Sequence, residues 1–465
     1  MKYSVGEYKV SAIYNDEIHG NPFLEAMPEM LSWNEFKEHL ISIPNMPSNP
    51  LYMEEEERKQ FLMSMYKIFI PMDYMFYIYD TIYRAIALNY MTKSNLEFTR
   101  AINNLYFERE ERYTTQSYSG AILGVPGIGK TSTIKRCLDF FPKVITHTFY
   151  KGKKMYENQV PSIFVQCPSD CSIKALCLNV LTEIDAALGS DYTAALSTNA
   201  KENTLTKLMM RVKMACLRHR VGIIIIDEIQ NVINTAVKAR TTKTLLKFLL
   251  ELTNASYVSV LFCGTLDADD VFNREEYIKR RTRGFRLVPM KKDLSFHRLL
   301  EITWNLQVIY NKTPLTPQFE TLVYNLTKGV PAYVVQLLVE VQTQAMLSGE
   351  EKITEKNIKE TAAMMGINVS QIYTHNTSIS DFKIVKSTKK MVEAIEEKKS
   401  EEIQNKNEEN IKTVIDIVHP LGRKRGRPEK TRSNKDIKVF YQNSKDKETL
   451  IQSLTEFLLL ERIKL

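Results

Sequence analysis

The strongest chemical signal in the sequence is a glycine-rich segment that ends in a lysine and a threonine. Residues 124–131 read Gly-Val-Pro-Gly-Ile-Gly-Lys-Thr. Glycines at these positions let backbone N–H groups surround phosphate oxygens at a helix N-terminus, where negative charge is already favoured. In this pattern Lys130 contacts the β- and γ-phosphates, and the hydroxyl of Thr131 ligates Mg²⁺. The sequence therefore predicts a site for ATP and Mg²⁺ formed by Gly124, Val125, Pro126, Gly127, Ile128, Gly129, Lys130, Thr131 and Ser132.

Two adjacent carboxylates follow an apolar run later in the chain. Residues 222–226 read Gly-Ile-Ile-Ile-Ile and are followed by Asp227 and Glu228. Such a run is typical of a parallel strand buried on both faces, and its C-terminal end points towards the ligand crevice. We expect Asp227 to hold Mg²⁺ through water and Glu228 to polarise the attacking water.

A second apolar run ends in a threonine. Residues 258–264 read Val-Ser-Val-Leu-Phe-Cys-Gly, and Thr265 follows. A polar side chain at the end of such a strand can hold the lytic water or sense the γ-phosphate. By itself a threonine at a strand end is ordinary, and the prediction depends on the two motifs above.

A basic segment lies just beyond, over residues 273–283. Clusters of this kind are often solvated faces. They also supply arginine fingers across subunit boundaries, where a guanidinium stabilises the charge on a transferred phosphoryl group. Arg281 is our first candidate for such a finger and Arg280 the second.

These residues need a fold that brings the ends of several strands together. Strands alternate with helices over residues 116–290, the pattern of a parallel sheet covered on both faces. We therefore predict an α/β nucleotide-binding core over this range. Residues 291–368 show helical spacing and are predicted to form a helical lid, in which Thr354 is the N-cap of a helix.

The two ends of the chain differ from this core. Residues 1–115 show helical spacing and are predicted to form a mostly helical extension that docks a partner. Residues 369–465 carry a mixed-charge run and a basic patch, and are predicted to be a flexible tail with a terminal amphipathic helix. One apolar helix face in the extension recurs every four residues and is predicted to be core: Ile78, Ile82, Ile86 and Tyr90.

Composition excludes several classes of protein. The 465 residues carry 63 Lys+Arg and 55 Asp+Glu, a net charge of +8, and 44% are hydrophobic, so wholesale disorder is excluded. Six cysteines form no disulfide or zinc pattern, which suits a reducing cytoplasm. The most apolar stretch, residues 68–91, contains Asp73, Asp80 and Arg84, so we expect a buried segment and no membrane span.

The motifs in this order resemble the AAA+ ATPases of the TnsC/TniB transposition-regulator family, over roughly residues 20–366. The phosphate loop and the Asp-Glu pair are common to all AAA+ proteins. More specific are four further segments: Asn21 to Pro28, Val165 to Ser172, Phe262 to Thr265, and Asn273-Arg274 ahead of Arg280-Arg281.

The resemblance implies an AAA+ parallel sheet sandwiched by helices, a helical lid, and ATP hydrolysis by the residues named above. It also implies that ATP-bound subunits assemble on duplex DNA as rings or filaments of about six or seven subunits per turn. There they would link a target selector of the TniQ/TnsD type to a transposase of the TnsA/TnsB type, in a bacterial cytoplasm, with hydrolysis controlling disassembly. Two alternatives remain open: another AAA+ ATPase, of initiator or signalling type, or an ATP-binding scaffold with little hydrolysis.

One position departs from the wider AAA+ pattern. Many lids place an arginine after a Gly-x-Pro turn, where it touches the γ-phosphate. Here Gly329-Val330-Pro331 is followed by Ala332. The missing arginine predicts slow turnover unless another residue substitutes.

Candidate DNA contacts are scattered over the chain. We expect Lys151, Lys153 and Lys154 to lie in a loop before the second strand, and Lys207 to lie where related ATPases meet DNA; a solvated loop is the alternative. In the tail, Arg425 and Arg427 flank a glycine within Lys-Arg-Gly-Arg-Pro, which resembles an AT-hook that enters a narrow minor groove. A non-specific polybasic arm is the alternative there.

Overall fold

The computed structural model describes residues 2–15, 20–47, 50–107, 117–194, 204–255, 258–273 and 276–367. These residues belong to one compact unit, which spans Met1–Thr374. The predicted tail, with Arg425 and Arg427, lies outside the described residues.

The described chain begins with elements that precede the phosphate loop. In order they are β1 (Lys9–Ser11), α1 (Pro22–Glu25), α2 (Trp33–Leu40), α3 (Glu55–Ser64), α4 (Asp73–Met91) and α5 (Asn95–Tyr106).

Strands and helices then alternate. In order they are β2 (Ser119–Gly124), α6 (Lys130–Leu138), β3 (Val144–Tyr150), β4 (Lys153–Gln159), β5 (Ser162–Gln166), α7 (Ile173–Leu188), α8 (Leu205–Arg218), β6 (Ile223–Asp227), α9 (Ile229–Lys238), α10 (Thr242–Ala255), β7 (Ser259–Gly264), α11 (Ala268–Phe272), α12 (Glu276–Arg281) and β8 (Gly284–Leu287). Four helices follow: α13 (Leu294–Asn305), α14 (Pro317–Thr327), α15 (Pro331–Leu347) and α16 (Glu355–Met364).

The main sheet has five strands in the order β5-β6-β7-β2-β8, and every pair in it is parallel. The predicted α/β fold with a parallel sheet between helices is therefore confirmed. Parallel strands buried on both faces require apolar residues at every position. The four isoleucines of β6 meet this requirement, since all four are fully buried.

Successive residues of β6 point to opposite faces of the sheet. Ile224 and Ile226 pack in a core with residues of α7, α8, α9 and α10. Ile223 and Ile225 pack in a second core with α4 and α6. The stripe predicted in the N-terminal region is buried as expected, with Ile78, Ile82, Ile86 and Tyr90 all at 0% exposure. The N-terminal helix α4 thus covers one face of the nucleotide-binding sheet.

The last four helices enclose a separate apolar core around Trp304, which also includes Leu62 of α3. Thr354 caps α16, as predicted, with its side chain accepting from the backbone N–H of Asn357. The buried guanidinium of Arg58 in α3 makes two hydrogen bonds to Glu351, at 2.6 and 3.0 Å, which ties α3 to the segment before α16. Within the described residues no single helix is long and apolar enough to cross a membrane; α14 and α15, bent by 118°, pass that test only as a pair.

A second, three-stranded sheet has the order β1-β3-β4. β3 and β4 form an antiparallel hairpin whose two-residue turn is Lys151-Gly152, both with positive φ (48° and 76°). Positive φ at both turn residues matches the twist of a hairpin. The predicted loop over Lys151, Lys153 and Lys154 is therefore wrong, because Lys153 and Lys154 lie in strand β4 and only Lys151 is in a turn. The sequence did not indicate this hairpin, because its first turn position is a lysine and not the Asn, Asp or Gly that usually marks such a turn.

Candidate nucleotide-binding site

The glycine-rich loop connects the end of β2 to the start of α6, as the sequence predicts. Gly127 and Gly129 have φ of +79° and +96°, a region that residues with a Cβ rarely adopt. Lys130 is 8% exposed, and its ammonium donates to the carbonyl oxygens of Gly124 and Val125 at 2.8 and 3.0 Å. Burial lowers the pKa of Lys130 from its usual value. The ammonium of Lys130, at the start of α6, is therefore a partly desolvated cation held against the loop.

Two oxygen donors lie together beside this lysine. The Thr131 hydroxyl donates to a carboxylate oxygen of Asp227 at 2.7 Å, although β2 and β6 are separated in the sheet by β7. Mg²⁺ prefers hard oxygen ligands and usually keeps several of its waters, so one hydroxyl and one carboxylate fit the ion. Among the described residues no cluster of three or more His, Cys, Asp or Glu could hold a metal ion by protein side chains alone.

Glu228 follows directly and has an unusual backbone. Its φ and ψ are 56° and 39°, the left-handed region, and its N–H donates to Asp227 Oδ1 at 2.9 Å. A left-handed non-glycine residue costs about 1 kcal/mol or more, so such residues often mark functional positions. Its carboxylate accepts a hydrogen bond from the side-chain amide of Gln230. Sequence reasoning did not single out Gln230, although a polar residue two positions after the Asp-Glu pair is a visible signal.

Thr265 directly follows β7, which ends at Gly264, one residue earlier than predicted. Its backbone N–H donates to Gln230 Oε1 at 3.1 Å, and its hydroxyl donates to Asp267 at 3.2 Å. Since β7 lies between β6 and β2 in the sheet, its end falls between those of the Asp227 strand and the phosphate-loop strand.

Arg281 and Arg280 end helix α12, which directly precedes β8. β8 begins opposite Ala121 in β2, whereas the phosphate loop follows Gly124 at the other end of that strand. Arg281 therefore lies towards the amino-terminal side of the sheet, away from the loop of its own chain. Burial, and then the nearby charge of Arg280, lowers the pKa of Arg281.

The helical region reaches the phosphate loop through the start of α15. The N–H of Ala332 donates to the carbonyl oxygen of Gly127 at 3.2 Å, and a Cβ at Gly127 would lie 3.0 Å from a methyl of Val330. Tyr74, just inside α4, donates through its hydroxyl to the carbonyl oxygen of Ile128 at 2.9 Å. Sequence reasoning found neither contact, because both depend on long-range packing.

The described candidates for DNA contact are exposed and lie in two places. Lys151, Lys153 and Lys154 belong to the β3–β4 hairpin. Lys207 lies in the first turn of α8, whose N-cap Thr204 accepts from the Lys207 N–H at 3.4 Å.

These elements agree with the result of a comparison with known protein families. Residues 113–272 match the family model described as an AAA domain. The matched range covers the phosphate loop, β6 and β7, and so includes Lys130, Asp227, Glu228 and Thr265. Below, the term AAA domain denotes only residues 113–272, the range that this model matches. No curated protein sequence matches the chain.

Solved structures with a similar fold are distant in sequence. The Walker-type ATPase PABY2304 of Pyrococcus abyssi is 15% identical, with a TM-score of 0.36, over 59% of this chain and 73% of that one. Cdc6p of Pyrobaculum aerophilum is 15% identical, with a TM-score of 0.35, over 52% of this chain and 59% of that one. Drosophila ORC bound to DNA is 11% identical, with a TM-score of 0.39, over 75% of this chain and 76% of that one. These similarities concern the fold alone.

Proposed function

We propose that the AAA domain hydrolyses ATP with Mg²⁺. The observation that carries this proposal is the 2.7 Å contact between Thr131 and Asp227, next to buried Lys130 and one residue before Glu228. No simple packing role accounts for a lysine, a hydroxyl and two carboxylates that meet at one edge of a sheet, behind a glycine-rich loop.

In this proposal each side chain has one task. Bound Mg²⁺ neutralises charge on the phosphates of ATP. On binding ATP, Lys130 would exchange the carbonyl oxygens that it now contacts for phosphate oxygens. Thr131 and Asp227 would hold the ion, Asp227 through water. Glu228 accepts a proton from the attacking water, and Thr265 holds that water or contacts the γ-phosphate.

A second copy of the chain is expected to complete the site. Arg281 is on the side of the sheet away from its own phosphate loop, so it would act on a nucleotide bound by a neighbour. Head-to-tail contacts of this kind generate rings or helical filaments. Each bound ATP would then stabilise one subunit interface, and hydrolysis would weaken it.

The start of α15 is expected to report the nucleotide state to the helical lid. Val330 and Ala332 contact Gly127, so a change in the loop on binding phosphate must move or strain the first turn of α15. Ala332 has no side chain that could reach a phosphate. We therefore keep the expectation of slow turnover.

We also propose that duplex DNA is the partner that the assembly encloses. The strands β1, β3 and β4 and the hairpin turn contain four lysines (Lys9, Lys151, Lys153, Lys154) and one acid, Glu157, which pairs with Arg220 at 3.0 Å. Lys151 also lies 3.9 Å from Glu25 of α1. Phe149 and Tyr156 on the same hairpin are 54% and 77% exposed. A basic surface with exposed aromatic rings suits a nucleic-acid backbone. Lys207 and the tail residues Arg425 and Arg427 would add contacts.

Two finer functions fit an ATPase that assembles on DNA. One is a regulator of transposition that links a selector of the TniQ/TnsD type to a transposase of the TnsA/TnsB type, as the family resemblance implies. The other is an AAA ATPase of initiator type. The comparisons agree better with the second, since the similar structures include Cdc6p and a DNA-bound ORC.

The first experiment is electron microscopy and ATPase measurement of the purified chain with duplex DNA, comparing ATP, a non-hydrolysable analogue and ADP. We expect rings or filaments on DNA with the analogue and not with ADP, and phosphate release with ATP. Glu228→Gln is the control, because it should retain ATP and DNA while release stops. Equal release by Glu228→Gln and the wild type would contradict hydrolysis at this site. A transposase gene beside this one would favour the transposition function over the initiator type.

A further inference from the structure

Gln230 connects two candidate catalytic groups that come from different strands. It lies in the first turn of α9 and is 8% exposed. Its side-chain Nε2 donates to the carboxylate of Glu228 at the end of β6, and its Oε1 accepts from the N–H of Thr265 at the end of β7 (3.1 Å). One amide therefore spans the gap between the two strand ends.

The chemistry of the partners fixes the orientation of this amide. A backbone N–H can only donate, and an ionised carboxylate can only accept. A flipped amide would place its NH₂ group against the N–H of Thr265 and its oxygen against the carboxylate of Glu228, which is repulsive at both ends. The observed orientation of the Gln230 amide therefore satisfies both partners at once.

The sequence of β7 leaves room for this bridge. A Cβ on Gly264 would overlap Gln230 Oε1 and lie 3.0 Å from a methyl of Ile229. Gly264 has no positive φ, so close approach explains the glycine better than backbone conformation does. The strand end is thus free of a side chain at the point where the amide passes.

We infer that Gln230 is a positioning residue that aims the carboxylate of Glu228 and couples it to the end of β7. This inference rests on the proposed ATP hydrolysis. A γ-phosphate that draws Thr265 towards it would pull on Gln230 Oε1 and, through the rigid amide, change where Glu228 points. The base would then be aligned only when the site holds a triphosphate.

The next residue offers a matched control. Asn231 is in the same turn of α9, and its side-chain Nδ2 donates to the carbonyl oxygen of Cys167, just beyond β5, at 2.9 Å. It therefore also ties α9 to a strand end, but it does so without contacting Glu228 or Thr265 through its side chain. Asn231→Ala removes a similar amide from the same turn.

The test compares Gln230→Ala, Gln230→Glu and Asn231→Ala by steady-state ATPase kinetics, nucleotide binding and thermal unfolding. In Gln230→Ala we expect kcat to fall about 10- to 100-fold, a part of what a general base contributes, with the Kd for ATP little changed. Asn231→Ala should keep kcat within about twofold of the wild type. In Gln230→Glu a carboxylate of similar size faces that of Glu228, and because like charges repel, kcat should fall at least as far as in Gln230→Ala.

A purely structural role for Gln230 predicts different results. If Gln230→Ala and Asn231→Ala lower kcat equally, or if Gln230→Glu keeps the kcat of the wild type, the positioning role is wrong. Failure of the proposed function looks different, because the wild type would then release no more phosphate than Glu228→Gln. Normal wild-type hydrolysis with normal Gln230→Ala kinetics would overturn this inference alone.

Discussion

The phosphate-loop edge of the main sheet and the exposed side of the β3–β4 hairpin present their polar groups in opposite ways. At the loop, Lys130, Asp227 and Gln230 are buried and already engaged with protein partners. On the hairpin, Lys153, Lys154 and the aromatic ring of Tyr156 are exposed.

This difference matches two kinds of ligand. A small triphosphate with fixed geometry is best bound by groups that are held in place before it arrives, because little reorganisation is then needed. A long polyanion is bound mainly through counterion release, which needs cations at the surface and tolerates variable geometry. The predictions below test whether the two regions act separately in this way.

The largest effect is expected for a variant that tests whether the nucleotide site at the phosphate-loop edge is complete within one chain. Arg281→Ala should lower DNA-stimulated turnover roughly 10³-fold, since a finger in trans contributes at least that much in related reactions. ATP binding by the isolated subunit should be unchanged, because Arg281 lies away from its own loop. Steady-state ATPase assays with sedimentation analysis measure both. Arg280→Ala tests the second candidate, and Lys279→Ala, at an exposed lysine of the same helix, is the control. Normal hydrolysis by Arg281→Ala on DNA would show that the finger is another residue.

The second test separates the two regions from each other. Lys130→Ala removes the cation of the loop and should weaken binding of ATP roughly 100-fold. Without nucleotide, its affinity for DNA should equal that of the wild type, because the hairpin is intact. Binding of a fluorescent ATP analogue and of labelled duplex DNA measures the two properties, with Lys153→Ala as the matched lysine control. Weaker DNA binding by Lys130→Ala in the absence of nucleotide would mean that the regions are not independent.

Sequence reasoning succeeded where local motifs determine the position of a side chain. The spacing from Gly124 to Thr131 specifies a strand, a loop and a helix, and an unbroken isoleucine run is typical of a parallel strand buried on both faces. The predicted strand end at Asp227 therefore agrees with the structure, and the one at Thr265 is off by one residue, since β7 ends at Gly264.

It failed where a contact joins distant parts of the chain. The stripe on α4 was predicted to be buried, but its partner, the face of β6 formed by Ile223 and Ile225, was not predictable from spacing. The bridge through Gln230 has the same origin, because it needs β7 to lie beside β6. The hairpin was missed for a local reason, since Lys151 occupies a positive-φ position at which Gly or Asn would be the usual signal.

The third test concerns the charge on the hairpin. The double variant Lys153→Glu/Lys154→Glu should weaken binding of duplex DNA at least about tenfold and lower the slope of log K against log salt by about 2, because each of the two lysines should neutralise one phosphate. ATP binding should not change. Fluorescence anisotropy over a range of salt concentrations measures the slope, and Lys359→Glu, an exposed lysine on α16, is the control. A slope equal to that of the wild type would remove the hairpin from the DNA surface.

The smallest effect should come from Lys207, which tests whether the DNA surface extends beyond the hairpin. Lys207 is the third residue of α8, after the N-cap Thr204. Glutamate at this position can complete a capping box and interacts well with the helix dipole, so Lys207→Glu should stabilise the fold by about 0.5 kcal/mol. If Lys207 contacts a phosphate, as we expect, the salt slope should fall by about 1 in the same variant. Opposite changes in DNA affinity and thermal stability would exclude unfolding as the cause of weaker binding, whereas an unchanged slope would confine the described DNA surface to the hairpin.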